Sequence, residues 1–244
     1  MLTIDGFTEQ FLTLTKGWTW EVEGFLDKNN FVHPIDSDTK VISTVFERLT
    51  SPVLRTICNK LDYIVETANQ TTYPDFTLSH YDDDTQLTHR IAIDIKTTYS
   101  QKSMLFTLGG YNSFLRNDTK NILYPYSTYD EHWIIGFIYN RLDSFEEYDL
   151  ENMPERGNIP CPYSLDTLFI RHKHEITGLR AGSGNTKNIG SIKTRSGDDF
   201  KTANGPFTLL NNPKASCEKY WRDYDKYKIE IKDASDLTKH EDFK

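Results

Sequence analysis

Residues 91–99 read IAIDIKTTY, and their strict alternation predicts a β-strand with one apolar and one polar face. The three isoleucines would point to one side of a sheet, whereas Asp94 and Lys96 would leave the other side together. The segment therefore predicts a strand that presents a carboxylate next to an ammonium group.

The neighbouring segments predict further strands and helices around this strand. Residues 73–78 predict a strand that carries Asp75, and the apolar run 132–139 (HWIIGFIY) is typical of a strand buried on both faces. The other predicted elements are a hairpin over 18–35, a helix that begins after 36–38, a second helix from Ser51-Pro52, a turn at Gly109-Gly110, a short polar helix over 113–120 and a frayed C-terminal tail. Because helices and strands interleave, we expect an α/β (α+β) fold with a central mixed β-sheet flanked by helices.

Length and composition are those of a globular protein. The 244 residues fit one large domain, and 37% hydrophobic residues are too many for a disordered chain. No apolar run approaches the roughly 20 residues that span a bilayer, and no signal peptide is visible at the N-terminus. The three cysteines lie far apart, which argues against a disulfide framework and against a CxxC metal site. We therefore expect a cytoplasmic protein with no membrane segment.

Charge is distributed unevenly along the chain. The net charge of −8 taken alone argues against a nucleic-acid partner. However, residues 143–155 contain six acids and no base, whereas residues 171–195 contain six bases and one acid. An acidic protein can therefore present a local basic surface, although both segments are also compatible with ordinary solvated faces.

Asp75, Asp94 and Lys96 form the strongest candidate for a catalytic site. Neighbouring strands lie only about 4.8 Å apart, so if the two strands pair, both carboxylates come within reach of one metal ion. Carboxylate oxygens suit Mg²⁺, which binds substrate phosphate and can lower the pKa of a bound water. A lysine there can orient the attacking hydroxide. These groups meet the requirements of phosphodiester hydrolysis, although an isolated Asp-x-Lys triplet is more often a structural ion pair.

The spacing and several longer runs resemble a known family. Pro74-Asp75, eighteen intervening residues and Asp94-x-Lys96 match the pattern of the PD-(D/E)xK nucleases. Within that superfamily the chain resembles the EcoRV-like type II restriction endonucleases. The runs that carry this resemblance are 38–47 (DTKVISTVFE), 74–78 (PDFTL), 91–99, 106–120 (FTLGGYNSFLRNDTK) and 181–192 (AGSGNTKNIGSI).

The resemblance implies the roles of the catalytic residues. Asp75 and Asp94 would bind Mg²⁺, Lys96 would assist the attacking water, and Glu47 would be an accessory catalytic and metal-binding acid. Mn²⁺ would substitute for Mg²⁺, and Ca²⁺ would support DNA binding without cleavage. No nucleotide cofactor is expected, since the glycine-rich segment lacks the Gly-Lys-Ser/Thr ending of a P-loop.

The resemblance also implies the organisation and partners of the chain. We expect a single nuclease domain over 1–244 with a restriction-endonuclease-like fold, a catalytic core over 68–141 and a DNA recognition loop over 178–195. Segments 18–60 and 142–160 would form a homodimer that cuts double-stranded DNA at a short palindrome. The hypothesised site is GATATC, cut at its centre, and a cognate DNA methyltransferase is implied in the host.

The recognition loop is the main predicted DNA contact. Its glycines allow close approach to base edges, and an asparagine can bond adenine N6 and N7 together. By resemblance Gly182, Ser183, Gly184, Asn185, Thr186 and Asn188 would enter the major groove, while Lys187 replaces the expected threonine. A flexible surface turn is the alternative interpretation.

Further DNA contacts are carried over from the same resemblance. Gln70 and Thr71 would face the minor groove, where Thr71 replaces the expected asparagine. The remaining predicted contacts are Thr39, Lys40, Thr98, Tyr99, Thr107, Ser113, Lys120 and Arg141. Two other functions stay open: a junction- or damage-specific nuclease on the same core, and a DNA-binding module without catalysis.

Overall fold

The computed structural model describes residues 1–69, 71–83, 85–118, 121–142, 148–149, 151–152, 154–155, 157–182 and 187–244. The helices are α1 (Ile4–Leu14), α2 (Thr39–Asn59), α3 (Lys173–Ile176), α4 (Asp198–Lys201), α5 (Pro213–Arg222), α6 (Tyr224–Glu230) and α7 (Ala234–Lys239). The strands are β1 (Gly24–Leu26), β2 (Val32–Pro34), β3 (Tyr63–Thr67), β4 (Phe76–Asp82), β5 (Gln86–Tyr99), β6 (Thr107–Gly110), β7 (Glu131–Arg141), β8 (Tyr163–His172), β9 (Thr177–Ala181) and β10 (Asn188–Ser191). No helix of these described segments is long and apolar enough to cross a membrane.

A mixed five-stranded sheet is the centre of the fold. Its strand order is β3-β4-β5-β7-β8, with β5 and β7 parallel and the other neighbours antiparallel. A smaller antiparallel sheet has the order β6-β10-β9, and β1 pairs with β2 as a hairpin. The predicted central mixed sheet flanked by helices is therefore confirmed.

The predicted alternation of residues 91–99 separates two hydrophobic cores. The isoleucines at 91, 93 and 95 pack with α1 and α2 on one side of the sheet. Ala92 belongs to the other core, which is rich in aromatic residues from α5 and α6. Asp94 shares the side of Ala92, because side chains two apart on a strand leave the same face.

The helix that carries Glu47 differs from its prediction. Asp38 caps it as expected and accepts hydrogen bonds from the backbone N–H groups of Lys40 and Val41. However, α2 does not end before Ser51-Pro52, since Pro52 lies inside one continuous helix. Proline inside a helix costs about 3 kcal/mol. Side chains on both sides of it, such as Phe46 and Leu54, are fully buried in one core and offset that cost at about 1.5–3 kcal/mol each.

Three other expectations were also wrong. The strand predicted over 73–78 begins only at Phe76, so that Asp75 lies immediately before it. Gly109 and Gly110 belong to β6 rather than to a turn, and a Cβ at Gly109 would lie 2.2 Å from the Phe114 ring. The C-terminal tail is not frayed, because Leu237 and Phe243 are buried in the aromatic core.

Candidate active site

Sheet pairing brings Asp75, Asp94 and Lys96 together. Phe76 lies opposite Ile93 in the register of β4 and β5, which places Asp75 beside the end of β5 that carries the other two residues. The Asp75 Oδ2 atom accepts a hydrogen bond of 2.6 Å from the backbone N–H of Ile95. Lys96 Nζ lies 2.6 Å from Asp94 Oδ2. The three side chains therefore form one cluster, as the spacing requires.

The cluster strongly perturbs its own protonation. Burial and the charge of Asp94 raise the pKa of Asp75 to about 8, although the Lys96 ammonium and the Ile95 N–H act in the opposite direction. Burial alone would lower the pKa of Lys96, but the Asp94 and Asp75 carboxylates outweigh it and raise that pKa. Lys96 therefore stays charged. Asp75 retains a proton near neutral pH, and a metal cation that binds to Asp75 must displace that proton.

Glu47 lies in the same cleft as the cluster without joining it. A cleft of about 860 Å³ is lined by Asp75 and Lys96 and by Glu47 of α2. Within the described segments, no group of three or more Asp, Glu, His or Cys side chains is arranged to hold a metal ion. The structure thus brings together two carboxylates, and Glu47 is a separate acid of the cleft.

The two carboxylates fit a divalent cation. Asp94 is 4% exposed, and its carboxylate lies against the Lys96 ammonium, with 2.6 Å between Oδ2 and Nζ. A carboxylate has about four lone-pair sites, so one ion pair leaves others that can coordinate a cation. Mg²⁺ binds through one or two carboxylates and completes its shell with waters and phosphate oxygens. Asp75 and Asp94 could hold such an ion.

The polar face of α2 is a part of the cleft that sequence reasoning largely missed. Arg48, Ser43 and Ser51 line the cleft together with the predicted contacts Thr39 and Lys40. These positions recur every three or four residues, which is the spacing of one face of a helix. That periodicity was the signal in the sequence. Because Lys40 and Arg48 line the cleft together with Glu47, α2 brings positive as well as negative charge to it.

Comparison with known proteins agrees with this geometry. Residues 16–244 match the family described as "Restriction endonuclease EcoRV". The chain belongs to the EcoRV family of restriction endonucleases. The "Type II restriction enzyme EcoRV" of Escherichia coli is 42% identical over 215 residues, which cover 85% of this chain and 83% of that relative. The resemblance is thereby confirmed, and the protein is a type II restriction endonuclease of the EcoRV type.

In this EcoRV-type enzyme, the base of the predicted recognition loop is held by backbone hydrogen bonding. The backbone N–H of Gly182 donates a hydrogen bond of 3.0 Å to the carbonyl oxygen of Asn188. A Cβ at Gly182 would lie 2.9 Å from Thr107 Oγ1, and Asn188 pairs with Gly110 of β6. Ser113 lies on the helical turn that follows β6. Four of the predicted DNA contacts therefore share one region around β6 and β10.

The other described contacts lie in two places, at the C-terminal ends of β5 and β7 and at the start of α2. Thr98 and Tyr99 end β5, and Arg141 ends the parallel strand β7. The Arg141 guanidinium lies 4.0 Å from the centroid of the Tyr99 ring. Thr39 and Lys40 are at the exposed N-terminus of α2.

The predicted minor-groove pair is described only in part. Thr71 is exposed, and both its N–H and its hydroxyl donate hydrogen bonds to Asn69 Oδ1. Asn69 also lines the cleft, and sequence reasoning missed it. The order Asn69-Gln70-Thr71-Thr72 is a turn signal, since an asparagine side chain accepts hydrogen bonds from the backbone two residues on. The predicted contacts outside the described residues are Gln70, Lys120, Ser183, Gly184, Asn185 and Thr186.

Proposed function

We propose that this EcoRV-family enzyme hydrolyses both strands of double-stranded DNA in a reaction that requires Mg²⁺ held by Asp75 and Asp94. The observation that carries the proposal is the cluster of two carboxylates and one lysine in a cleft that also contains Lys40 and Arg48. Basic side chains attract the DNA backbone, and the buried carboxylates supply hard ligands.

Each residue of the cluster has a distinct task in this reaction. A bound divalent cation supplies a water of lowered pKa and stabilises charge on a phosphoryl oxygen. Lys96, positioned by Asp94, orients the attacking water. The water oxygen adds to phosphorus as the water releases a proton to solvent, the opposite P–O ester bond breaks, and the leaving alkoxide takes up a proton from solvent. Asp75 is held by the Ile95 N–H and must lose its proton to act as a ligand.

Glu47 acts as an accessory acid in the proposed reaction. Its position on α2 places it in the cleft but outside the Asp75–Asp94 pair. From there its carboxylate can bind waters that surround the metal ion or the scissile phosphate. Mn²⁺ would replace Mg²⁺ in the site. Ca²⁺ would support DNA binding but little cleavage, because it is larger and looser in its geometry.

The proposed recognition sequence is GATATC, cut at its centre to leave blunt ends. Support comes from the match of segment 182–190 to the family loop everywhere except Lys187, and from the 42% identity to the Escherichia coli relative. Asn185 or Asn188 would read purine edges in the major groove, where a bidentate contact discriminates by about 1–3 kcal/mol. The inner TA step would be selected by its easy deformation. Such an enzyme implies a cognate methyltransferase that protects host DNA.

A homodimer is the proposed active form, since a two-fold assembly matches a palindrome. The hairpin of the predicted dimerisation segment 18–60 exposes large apolar side chains, among them Phe25 at 55% and Leu26 at 61%. Clusters of exposed apolar residues mark association surfaces. Tyr148 of the second predicted segment, 142–160, places its hydroxyl 3.5 Å from Nδ1 of His33 in this hairpin.

Digestion of plasmid DNA with Mg²⁺ tests the proposal directly. We expect discrete fragments with blunt ends at GATATC and no cleavage by an Asp94→Ala variant. Staggered ends or cuts at other sequences would contradict the proposed specificity but not the proposed nuclease activity. Cleavage of branched DNA alone would favour a junction nuclease, and retardation without cleavage would favour a binding module.

A further inference from the structure

A second cavity lies away from the catalytic cleft, among α3, α5 and the start of β7. Its volume is about 270 Å³, and its lining includes His132, Lys173, Glu218 and Trp221. None of these residues has a task in the proposed reaction. Lys173, His132 and Trp221 each carry a polar atom that is buried without a hydrogen-bond partner among the described residues.

Among these groups, the Lys173 ammonium has the highest free-energy cost of burial. The residue is 4% exposed, and its Nζ atom has no hydrogen-bond partner among the described residues. The rings of Tyr73, Phe114 and Tyr126 lie 4.7–5.1 Å from the ammonium. Aromatic faces attract a cation but leave its three N–H donors without acceptors. Burial lowers the pKa of Lys173 to about 8, so most of the lysine is still charged at neutral pH.

Two further donors line the same cavity. The Nε1 atom of Trp221 is buried without a partner in the described structure, and so is Nε2 of His132. The Nδ1 atom of His132 lies 2.8 Å from the Tyr73 hydroxyl. In the tautomer that accepts the phenol proton at Nδ1, Nε2 carries the ring proton. In that tautomer the cavity contains three buried donors without acceptors, and two of them, Lys173 Nζ and Trp221 Nε1, are donors whichever tautomer His132 adopts.

The acidic side chains of the cavity do not satisfy these donors. Asp130 accepts a hydrogen bond of 2.8 Å from the backbone N–H of Arg90, and Glu131 accepts one from the indole of Trp133. Glu218 and Asp94 act on the Lys173 charge from a distance, but neither accepts a hydrogen bond from its ammonium. The N–H donors of Lys173 therefore still need an acceptor inside the cavity.

We propose that this cavity binds a small oxyanion of the phosphate class through Lys173, Trp221 and His132. A tetrahedral oxyanion presents several acceptor oxygens at once, and its negative charge favours a position beside the Lys173 ammonium. The anion has two possible sources, free inorganic phosphate and the terminal phosphate of a DNA end. The proposed cleavage reaction uses none of these three residues of the cavity.

Calorimetric titration of the full-length protein with inorganic phosphate tests the site. The titration is done in EDTA and against chloride at matched ionic strength, so that no divalent ion contributes. We expect Lys173→Met to weaken binding at least tenfold and Trp221→Phe, which removes one donor, to weaken it severalfold. Lys60→Met makes the same substitution at an exposed lysine that does not line the cavity and should leave phosphate binding unchanged. Glu218→Gln should tighten binding, because it removes a like charge from the cavity.

Several results would overturn the site. These are the absence of phosphate binding in the wild-type protein, equal affinity in Trp221→Phe, or loss of binding in Lys60→Met instead. Trp221→Phe decides the matter if Lys173→Met fails to fold. A crystal grown with selenate should show anomalous signal beside Lys173 Nζ, and ordered water alone at that position would contradict the proposal. Competition by a 5′-phosphorylated duplex but not by its unphosphorylated form would identify a DNA end as the source, and no competition by either would identify the free anion.

Discussion

The carboxylate of Asp75 accepts a 2.6 Å hydrogen bond from the backbone N–H of Ile95, the residue between Asp94 and Lys96. This bond ties the start of β4 to the part of β5 that carries the other two residues of the cluster. Since a backbone donor cannot rotate away as a side chain can, the position of Asp75 relative to Asp94 is set by the sheet itself.

The first prediction concerns Asp94. We expect Asp94→Ala to reduce cleavage by several orders of magnitude, because it removes a buried ligand oxygen and the partner of Lys96. Single-turnover cleavage of a plasmid measures the effect. Asp82→Asn, an exposed change at the far end of the same β-hairpin, should cleave at the wild-type rate. If Asp94→Ala kept more than a few per cent of the wild-type rate, Asp94 would have no part in the mechanism.

The second prediction concerns pH and metal affinity. Because the pKa of Asp75 is raised to about 8, a metal ion must displace a proton below that pH. The affinity for Mg²⁺ and the cleavage rate at limiting Mg²⁺ should therefore rise as the pH increases from 6 to 8. Calorimetry in buffers of different ionisation enthalpy should detect proton release at pH 7. Binding without proton release would contradict the assignment.

The same raised pKa predicts a change in stability without metal. The folded state holds the Asp75 proton more tightly than the unfolded chain, so its contribution to stability is lost as the pH rises from about 4 to about 8. The difference in unfolding free energy between wild type and Asp75→Asn should therefore shift in favour of the variant over this range. Urea denaturation in EDTA at several pH values measures it, and a pH-independent difference would disprove it.

The third prediction concerns DNA binding by a protein of net charge −8. Without a divalent cation, the carboxylates of the cleft repel the DNA phosphates. Ca²⁺ in the site should reduce this repulsion and strengthen specific binding without supporting appreciable cleavage. Gel retardation with and without Ca²⁺ at moderate salt measures the change. Equal affinity under both conditions would contradict the electrostatic role of the site.

The fourth prediction concerns Lys187, whose carbonyl oxygen accepts a hydrogen bond from the Tyr111 N–H. If the side chain contacts a DNA phosphate, Lys187→Thr should reduce the slope of log affinity against log salt by about 1 and leave the cleaved sequence unchanged. Binding measured over a salt series and sequencing of the cut ends test the two parts. A changed cleavage sequence would make Lys187 a base-reading residue instead.

The fifth prediction concerns the proposed dimer. Replacing Phe25 by Asp places a charge in the exposed apolar hairpin and should shift the protein to a monomer that cuts DNA poorly. Sedimentation measures the mass. Ile229→Asp is the control, because Ile229 is 67% exposed, against 55% for Phe25, and lies on α6, outside the hairpin. Dissociation by the control, or an unchanged dimer in the Phe25 variant, would place the interface elsewhere.

The sequence by itself determined the features that depend on neighbouring residues. The alternation of residues 91–99 set the faces of β5, and Asp38 marked the start of α2. The spacing of Asp75, Asp94 and Lys96 also indicated the candidate site, because it matches a nuclease pattern in which these residues come from two paired segments of the sheet.

Only the tertiary structure decided what depends on contacts between distant segments. The continuity of α2 through Pro52 and the packing of Phe243 follow from burial against residues far away in the chain. The separation of Glu47 from the carboxylate pair could not be read from the sequence for the same reason. Neither could the burial of Lys173 Nζ without a hydrogen-bond partner among the described residues. Local sequence patterns indicate on which face of a strand or helix a side chain lies. Its contacts, its exposure to solvent and therefore its pKa depend on the distant segments that the fold packs against that face.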